Sequence, residues 1–196
     1  MNLEIKKLSP SLVDDYVFYF DNVAFRNNPE WSLCYCLEGH EESVDEEIEL
    51  TGNALIREKD LRRERVRALI LNGVMNGYLV YNEGNVIAWC NANDKSNYIR
   101  IKNNRDYWLD GDEEFRIKTV YCFNIAPDYR GKGIAKDILK FICDEASLEG
   151  YDYIEGYPRK EANGIHQFHG PIKLYESMGF TMIKELDTTY IFRKIL

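Results

Sequence analysis

The chain has 196 residues with a formal net charge of −8, and 45% of them are hydrophobic and 30% charged. That length suits one globular domain with a full core, and the acidic balance excludes phosphate-backbone binding as the main activity, because nucleic-acid binders present a basic face. No apolar run approaches the roughly 18 residues of a membrane span, and Met1–Ile5 lacks the basic and apolar regions of a signal peptide. The five cysteines, Cys34, Cys36, Cys90, Cys122 and Cys143, are odd in number. Three of them lie inside apolar patterns, which predicts buried free thiols in a reducing cytoplasm.

Leu3–Leu8 alternates and predicts a first strand. Ser9-Pro10 then opens a helix carrying Val13, Val17, Phe20 and Ala24 on one face, broken at Asn27-Asn28-Pro29. Trp31–Leu37 is apolar and compact, and is expected to be a strand or extended segment. Glu41–Glu49 holds six acids in nine residues; it reads as a solvated face or as an acidic rim drawing in a cationic substrate. Ala54–Asn72 is helical in composition and stops at Gly73. Gly77–Tyr81 and Val86–Asn91 flank a short glycine-containing loop and predict a hairpin. Phe115–Ala126 is the next strand, followed by a glycine turn and a helix with Ile134, Ile138, Ile142 and Ala146 on one face. Tyr151–Tyr157 is a strand stopped by Pro158, and the loop from Arg159 to Gly170 leads to a short helix between Pro171 and Gly179. Phe180–Leu186 and Tyr190–Leu196 close the chain as a hairpin. This order predicts a single domain over 1–196, an α/β fold with a mostly antiparallel sheet and one parallel crossover.

The centre of the pattern is Asp128-Tyr129-Arg130-Gly131-Lys132-Gly133-Ile134-Ala135, between a strand and a helix N-terminus. Free backbone N–H groups at such a junction suit a phosphate-bearing cofactor, and Arg130, Lys132 and Lys136 concentrate positive charge there. A Walker loop would need a Ser or Thr after the lysine, where Gly133 stands. A dinucleotide fingerprint would need a third glycine where Lys136 stands. Arg130–Ala135 instead resembles the R-x-x-G-x-A pyrophosphate loop of the GCN5-related N-acetyltransferases, the GNAT superfamily. Leu174-Tyr175-Glu176-Ser177-Met178-Gly179-Phe180 resembles the same family's second signature, some 40 residues on. The Cys34-Tyr35-Cys36 and Glu155–Pro158 segments look like a bacterial subgroup of it.

The resemblance implies a mixed sheet of about six or seven strands with a V-shaped splay after the cofactor strand. It also implies acetyl-CoA as cofactor and an amine as acceptor. By position, the amides of Arg130, Gly131, Lys132, Gly133, Ile134 and Ala135 would hold the pyrophosphate, and Phe123, Asn124 and Ile125 would pair with the pantetheine arm. Tyr175 falls where the family places its general acid toward the departing thiolate. An alkylamine is mostly protonated at neutral pH, so the reaction also needs a base or a water chain; Glu155 is the candidate, taking the proton through water or binding the ammonium group, with an ordinary solvent-facing strand carboxylate as its other reading. His166, His169, Cys34 and Tyr157 are candidates for the acceptor site. Cys34, Cys36 and His40 lack zinc spacing and a fourth ligand, so no metal is expected. The expected activity is acetyl transfer to a primary amine of a small, cationic molecule by direct attack in a ternary complex. Protein lysine or N-terminal acetylation and a non-catalytic acyl-CoA sensor stay open as alternatives, as do monomer and homodimer.

Overall fold

The computed structural model describes residues 1–40, 51–161 and 164–196, with the backbone alone described at 164–166. The acidic run Glu41–Glu49 therefore lies outside the described residues, as does the side chain of His166. The strands are β1 (Leu3–Lys7), β2 (Gly77–Asn82), β3 (Asn85–Asp94), β4 (Ile117–Ile125), β5 (Tyr153–Gly156), β6 (Thr181–Glu185) and β7 (Tyr190–Ile195). The helices are α1 (Val13–Asn22), α2 (Gly52–Leu71), the single turn α3 (Ile99–Lys102), α4 (Ile134–Leu148) and α5 (Ile172–Ser177). The seven strands form one sheet in the order β1-β2-β3-β4-β5-β7-β6. Every neighbouring pair is antiparallel except β4 and β5, which α4 connects, so the expected single parallel crossover is present. Among the described residues no helix is long and apolar enough to cross a membrane.

The sheet is covered on both faces. Tyr16, Phe20, Tyr35, Leu37, Val66, Ile70 and Trp89 fill one side; Phe123, Ile134, Ile138, Ile142, Tyr175 and Phe192 fill the other. The fourfold spacing in α4 puts Ile134, Ile138, Ile142 and Ala146 on its buried stripe, and each isoleucine contributes roughly 1.5–3 kcal/mol by leaving water. The β2–β3 connection has Glu83 (φ 51°) and Gly84 (φ 76°) at its centre, the double left-handed turn that matches strand twist.

One expected element is absent. Trp31–Leu37 does not form a strand: Pro29–Trp31 is a 3-10 turn and the chain continues through further turns. Tyr35 (φ 37°) and Cys36 (φ 55°) are both left-handed, a conformation that costs a non-glycine residue about 1–2 kcal/mol. Side chains from elsewhere hold it in place. The Tyr16 hydroxyl donates to the Tyr35 carbonyl at 2.7 Å, the Tyr35 hydroxyl bonds Asp21, and the Asn91 amide reaches the Cys36 carbonyl and sulfur at 3.4 and 3.3 Å.

Two irregularities of β4 create the site. Its pairing with β5 runs from Ile117–Tyr153 only to Val120–Gly156, whereas β4 continues beside β3 to Ile125. The two parallel strands therefore part at Val120, which is the expected splay. On the other edge the register with β3 slips between Asn91–Cys122 and Ala92–Val120. Tyr121 is the extra residue, and a bulge of this kind re-aims a side chain beside a functional site.

Candidate active site

The glycine turn after β4 is built to receive an anion. Gly131 (φ 72°) and Gly133 (φ 84°) are left-handed, and a Cβ at either would meet nothing within 4 Å, so backbone conformation rather than crowding calls for glycine there. The amides of Gly131, Lys132, Gly133, Ile134 and Ala135 donate to no described residue, and α4 has no side-chain cap. The Arg130 Nε donates to the Ile125 carbonyl at 2.9 Å, the Lys132 ammonium sits 5.3 Å over the Tyr129 ring, and Asp128, two residues before Arg130, is paired with Arg26 at 2.7 Å. From this loop the edge of β4 left free by β5 leads back through Ile125, Asn124 and Phe123 to Tyr121. At roughly 3.3 Å per residue that edge is about 13 Å long.

At its inner end lies a cleft of about 410 Å³ lined by Glu38, Arg100, Tyr107, Tyr121, Tyr157, Arg159, His169 and Thr189 among others. His169, only 7% exposed, stands edge-on to the Tyr121 ring. Its Nδ1 lies 2.7 Å from the Tyr121 carbonyl oxygen. A carbonyl can only accept, so Nδ1 carries the proton and Nε2 keeps a lone pair. Nε2 has no hydrogen-bond partner among the described residues. Burial holds the ring's pKa below the usual imidazole value, so it is neutral. The His169 carbonyl in turn accepts from the Tyr175 hydroxyl at 2.7 Å. Tyr175 is fully buried, which raises its pKa well above the ordinary phenol value, and its ring lies against Gly156, the last β5 residue paired with β4.

Glu155 takes no part in the cleft surface. It is fully buried, and its Oε1 accepts from the Arg193 guanidinium through both Nε (2.7 Å) and Nη2. Its Oε2 accepts from the Tyr157 hydroxyl at 2.8 Å and faces the Lys95 ammonium at 3.0 Å. Lys95 and Arg193 also bind Asp112, at 2.9 and 2.7 Å, so two cations and two anions close a neutral cluster beneath the cleft. Both Glu155 oxygens are occupied, leaving none for a substrate proton, contrary to the sequence reading of this side chain as the base. A fully bonded buried pair gives little net stability, yet breaking it leaves an uncompensated charge. Glu155→Gln should therefore lower the unfolding free energy by about 3–5 kcal/mol, seen as a shifted urea midpoint at unchanged slope; an unmoved midpoint would refute this.

Of the other sequence candidates, Tyr157 and His169 line the cleft, whereas Cys34 is exposed on the turn before Tyr35 and does not line it. His40 packs on Tyr98, and burial lowers its pKa to about 4. Among the described residues no three His, Cys, Asp or Glu side chains gather to hold a metal. Sequence reasoning missed Tyr121, Arg159 and Thr189. Tyr121 could have been suspected as the residue before the cofactor strand's free edge; the other two carry no local signal.

A sequence model described as an acetyltransferase (GNAT) domain matches residues 76–182. The fold resembles the polyamine N-acetyltransferase of Drosophila melanogaster, with a TM-score of 0.59 at 9% identity over 100% of both chains. It also resembles the PaiA N-acetyltransferase of Thermoplasma acidophilum in complex with coenzyme A, with a TM-score of 0.57 at 13% identity over 100% of both chains. A GNAT-family acetyltransferase from Streptococcus pneumoniae gives 0.56 at 14% identity over 100% of this chain and 99% of that one. At these identities the likeness is one of fold. No curated protein matches the chain by sequence.

Proposed function

Because this chain belongs to the GNAT acetyltransferase family, whose enzymes draw on acetyl-CoA, we propose that it acetylates the primary amine of a small molecule by direct attack in a ternary complex. One observation carries the reading: the edge of β4 that β5 leaves unpaired joins a loop of five amides to a cleft that holds a neutral histidine, and among the described residues those amides and the histidine Nε2 have no hydrogen-bond partner. The amides from Gly131 to Ala135, with Arg130 and Lys132, would bind the pyrophosphate, and the edge from Phe123 to Ile125 would pair with the pantetheine arm. The bound cofactor supplies an activated acetyl thioester. Holding amine and thioester together is itself a large part of such catalysis.

The amine arrives as an ammonium ion, and the faces of Tyr107, Tyr121 and Tyr157 suit a cation. His169 Nε2 would first take one of its three protons, freeing the lone pair that attack requires, with the ring oriented by the Tyr121 carbonyl; a second N–H proton is lost once the C–N bond has formed and balances the one that Tyr175 gives up. The base in this reading is His169, with Glu155 holding the Tyr157 hydroxyl from below. Tyr175 is the proposed proton donor to the departing thiolate, and donation exchanges its present bond to the His169 carbonyl.

Thiol release from acetyl-CoA, measured against a panel of small amines, tests the reading. Amine-dependent release should occur, and Tyr175→Phe should lower kcat by about 10²–10⁴-fold with little change in acetyl-CoA affinity. Acetyl-CoA binding without amine-dependent release would make the chain a sensor. Turnover confined to lysine or N-terminal peptides would make the acceptor a protein.

A further inference from the structure

Two polar atoms of the cleft have nothing to bond among the described residues. The Nε of Arg159 and the hydroxyl of Thr189 are both shut away from solvent without a hydrogen-bond partner among the described residues. Such atoms are uncommon in folded proteins, because each costs the desolvation of a polar group. Arg159 and Thr189 face one another in an antiparallel bridge, so their side chains leave the backbone on the same side, and both line the cleft. Thr189 is 7% exposed. The Arg159 guanidinium lies over the Phe168 ring at 5.5 Å and forms no ion pair among the described residues. The other charges on the described lining cancel, since Arg100 binds Glu38 at 2.7 Å. One cation with a planar fork and one hydroxyl remain unanswered.

We propose that Arg159 and Thr189 form a carboxylate subsite, and that the acceptor is an amine bearing a carboxylate, such as an amino acid. This rests on the acetyl-transfer reading of the cleft and narrows its substrate class. The guanidinium can meet both oxygens of a carboxylate, and the Thr189 hydroxyl can donate a further bond. The ammonium end is left for the tyrosine faces and His169. A single unanswered cation matches a singly charged carboxylate better than a doubly charged phosphate. A cleft of about 410 Å³ holds an amino acid with room for the thioester end.

The test pairs acceptors that differ only in the carboxylate, lysine with 1,5-diaminopentane and arginine with agmatine, and adds O-phosphoethanolamine. Each is measured for kcat/KM with acetyl-CoA and, by calorimetry, for binding to the CoA-loaded protein. The carboxylate member of each pair should be favoured about ten- to a hundredfold, the range of a charged hydrogen-bonded contact. Arg159→Leu should erase that preference by raising KM for the amino acid, with KM for the decarboxylated partner and for acetyl-CoA unchanged, and Arg159→Lys should recover part of it. A preference for the diamine, agmatine or the phosphate compound, or an Arg159→Leu effect on KM for acetyl-CoA, would overturn the subsite. If no amine turns over, acetyl transfer to small molecules fails by itself. The subsite then stands or falls on calorimetry: amino-acid binding lost in Arg159→Leu supports it, and no binding refutes it.

Discussion

His169→Asn should lower kcat by about 10²–10⁴-fold, the usual contribution of a positioned base. The asparagine amide can still donate to the Tyr121 carbonyl, as Nδ1 does at 2.7 Å, so the substitution chiefly removes Nε2. A kcat within about threefold of the wild type would take the base role from His169. The pH dependence follows from what faces the ring. Burial is the main cause of its low pKa, and the positive charge of Arg159 acts in the same direction, against the Tyr121 carbonyl and the charge of Glu38. The folded ring therefore stays neutral at pH values where the unfolded chain, with a pKa of about 6.5, takes up a proton. The stability tied to this burial is complete above about pH 6.5 and is lost as pH falls through the folded pKa. Likewise the acid limb of kcat that disappears in His169→Asn should lie below about 6.5, and a limb above that value would contradict the assignment.

Gly156→Ala should be equally damaging for a different reason. Gly156 needs no unusual backbone angle; a Cβ there would overlap the ring carbons and hydroxyl of Tyr175. The ring cannot retreat easily, because Phe180 and Phe192 pack on it with centroids 5.3 and 6.0 Å away. Overpacking of this kind costs about 1–3 kcal/mol, or at least about 2–4 °C in Tm for a chain of this size. Moving Tyr175 also releases the His169 carbonyl, so kcat should fall in the same variant although Gly156 touches no reactant. Thermal unfolding together with single-turnover rates checks both parts, and an unchanged Tm would show that the β5 end accommodates a methyl group.

The cofactor loop was legible because its chemistry is local: strand, two left-handed glycines and helix start occupy one short stretch, and their residue types follow from backbone geometry. The mostly antiparallel sheet and its crossover were legible through hydrophobic period and turn residues. Trp31–Leu37 was not, since an apolar run without a period does not specify a strand. Its left-handed turn is imposed by Tyr16 and Asn91, distant in sequence. The acceptor side was hidden for the same reason. Thr189 meets Arg159 only because β7 lies beside β5, and the tautomer of His169 is set by a carbonyl freed where β4 and β5 part. Glu155 looked like a base because its sequence neighbours are apolar, while its four donors come from Lys95, Tyr157 and Arg193.

The cluster under the cleft also bears on synthesis. Arg193 follows Asp112 by 81 residues and Glu155 by 38. At roughly 5–20 residues per second a nascent chain has both acids for about 2–8 s before the arginine is made. During that interval Lys95 alone faces two carboxylates, and burying them would strand a negative charge. The nascent cleft floor must therefore stay hydrated until β7 docks, so acceptor recognition waits on the strand that closes the cluster.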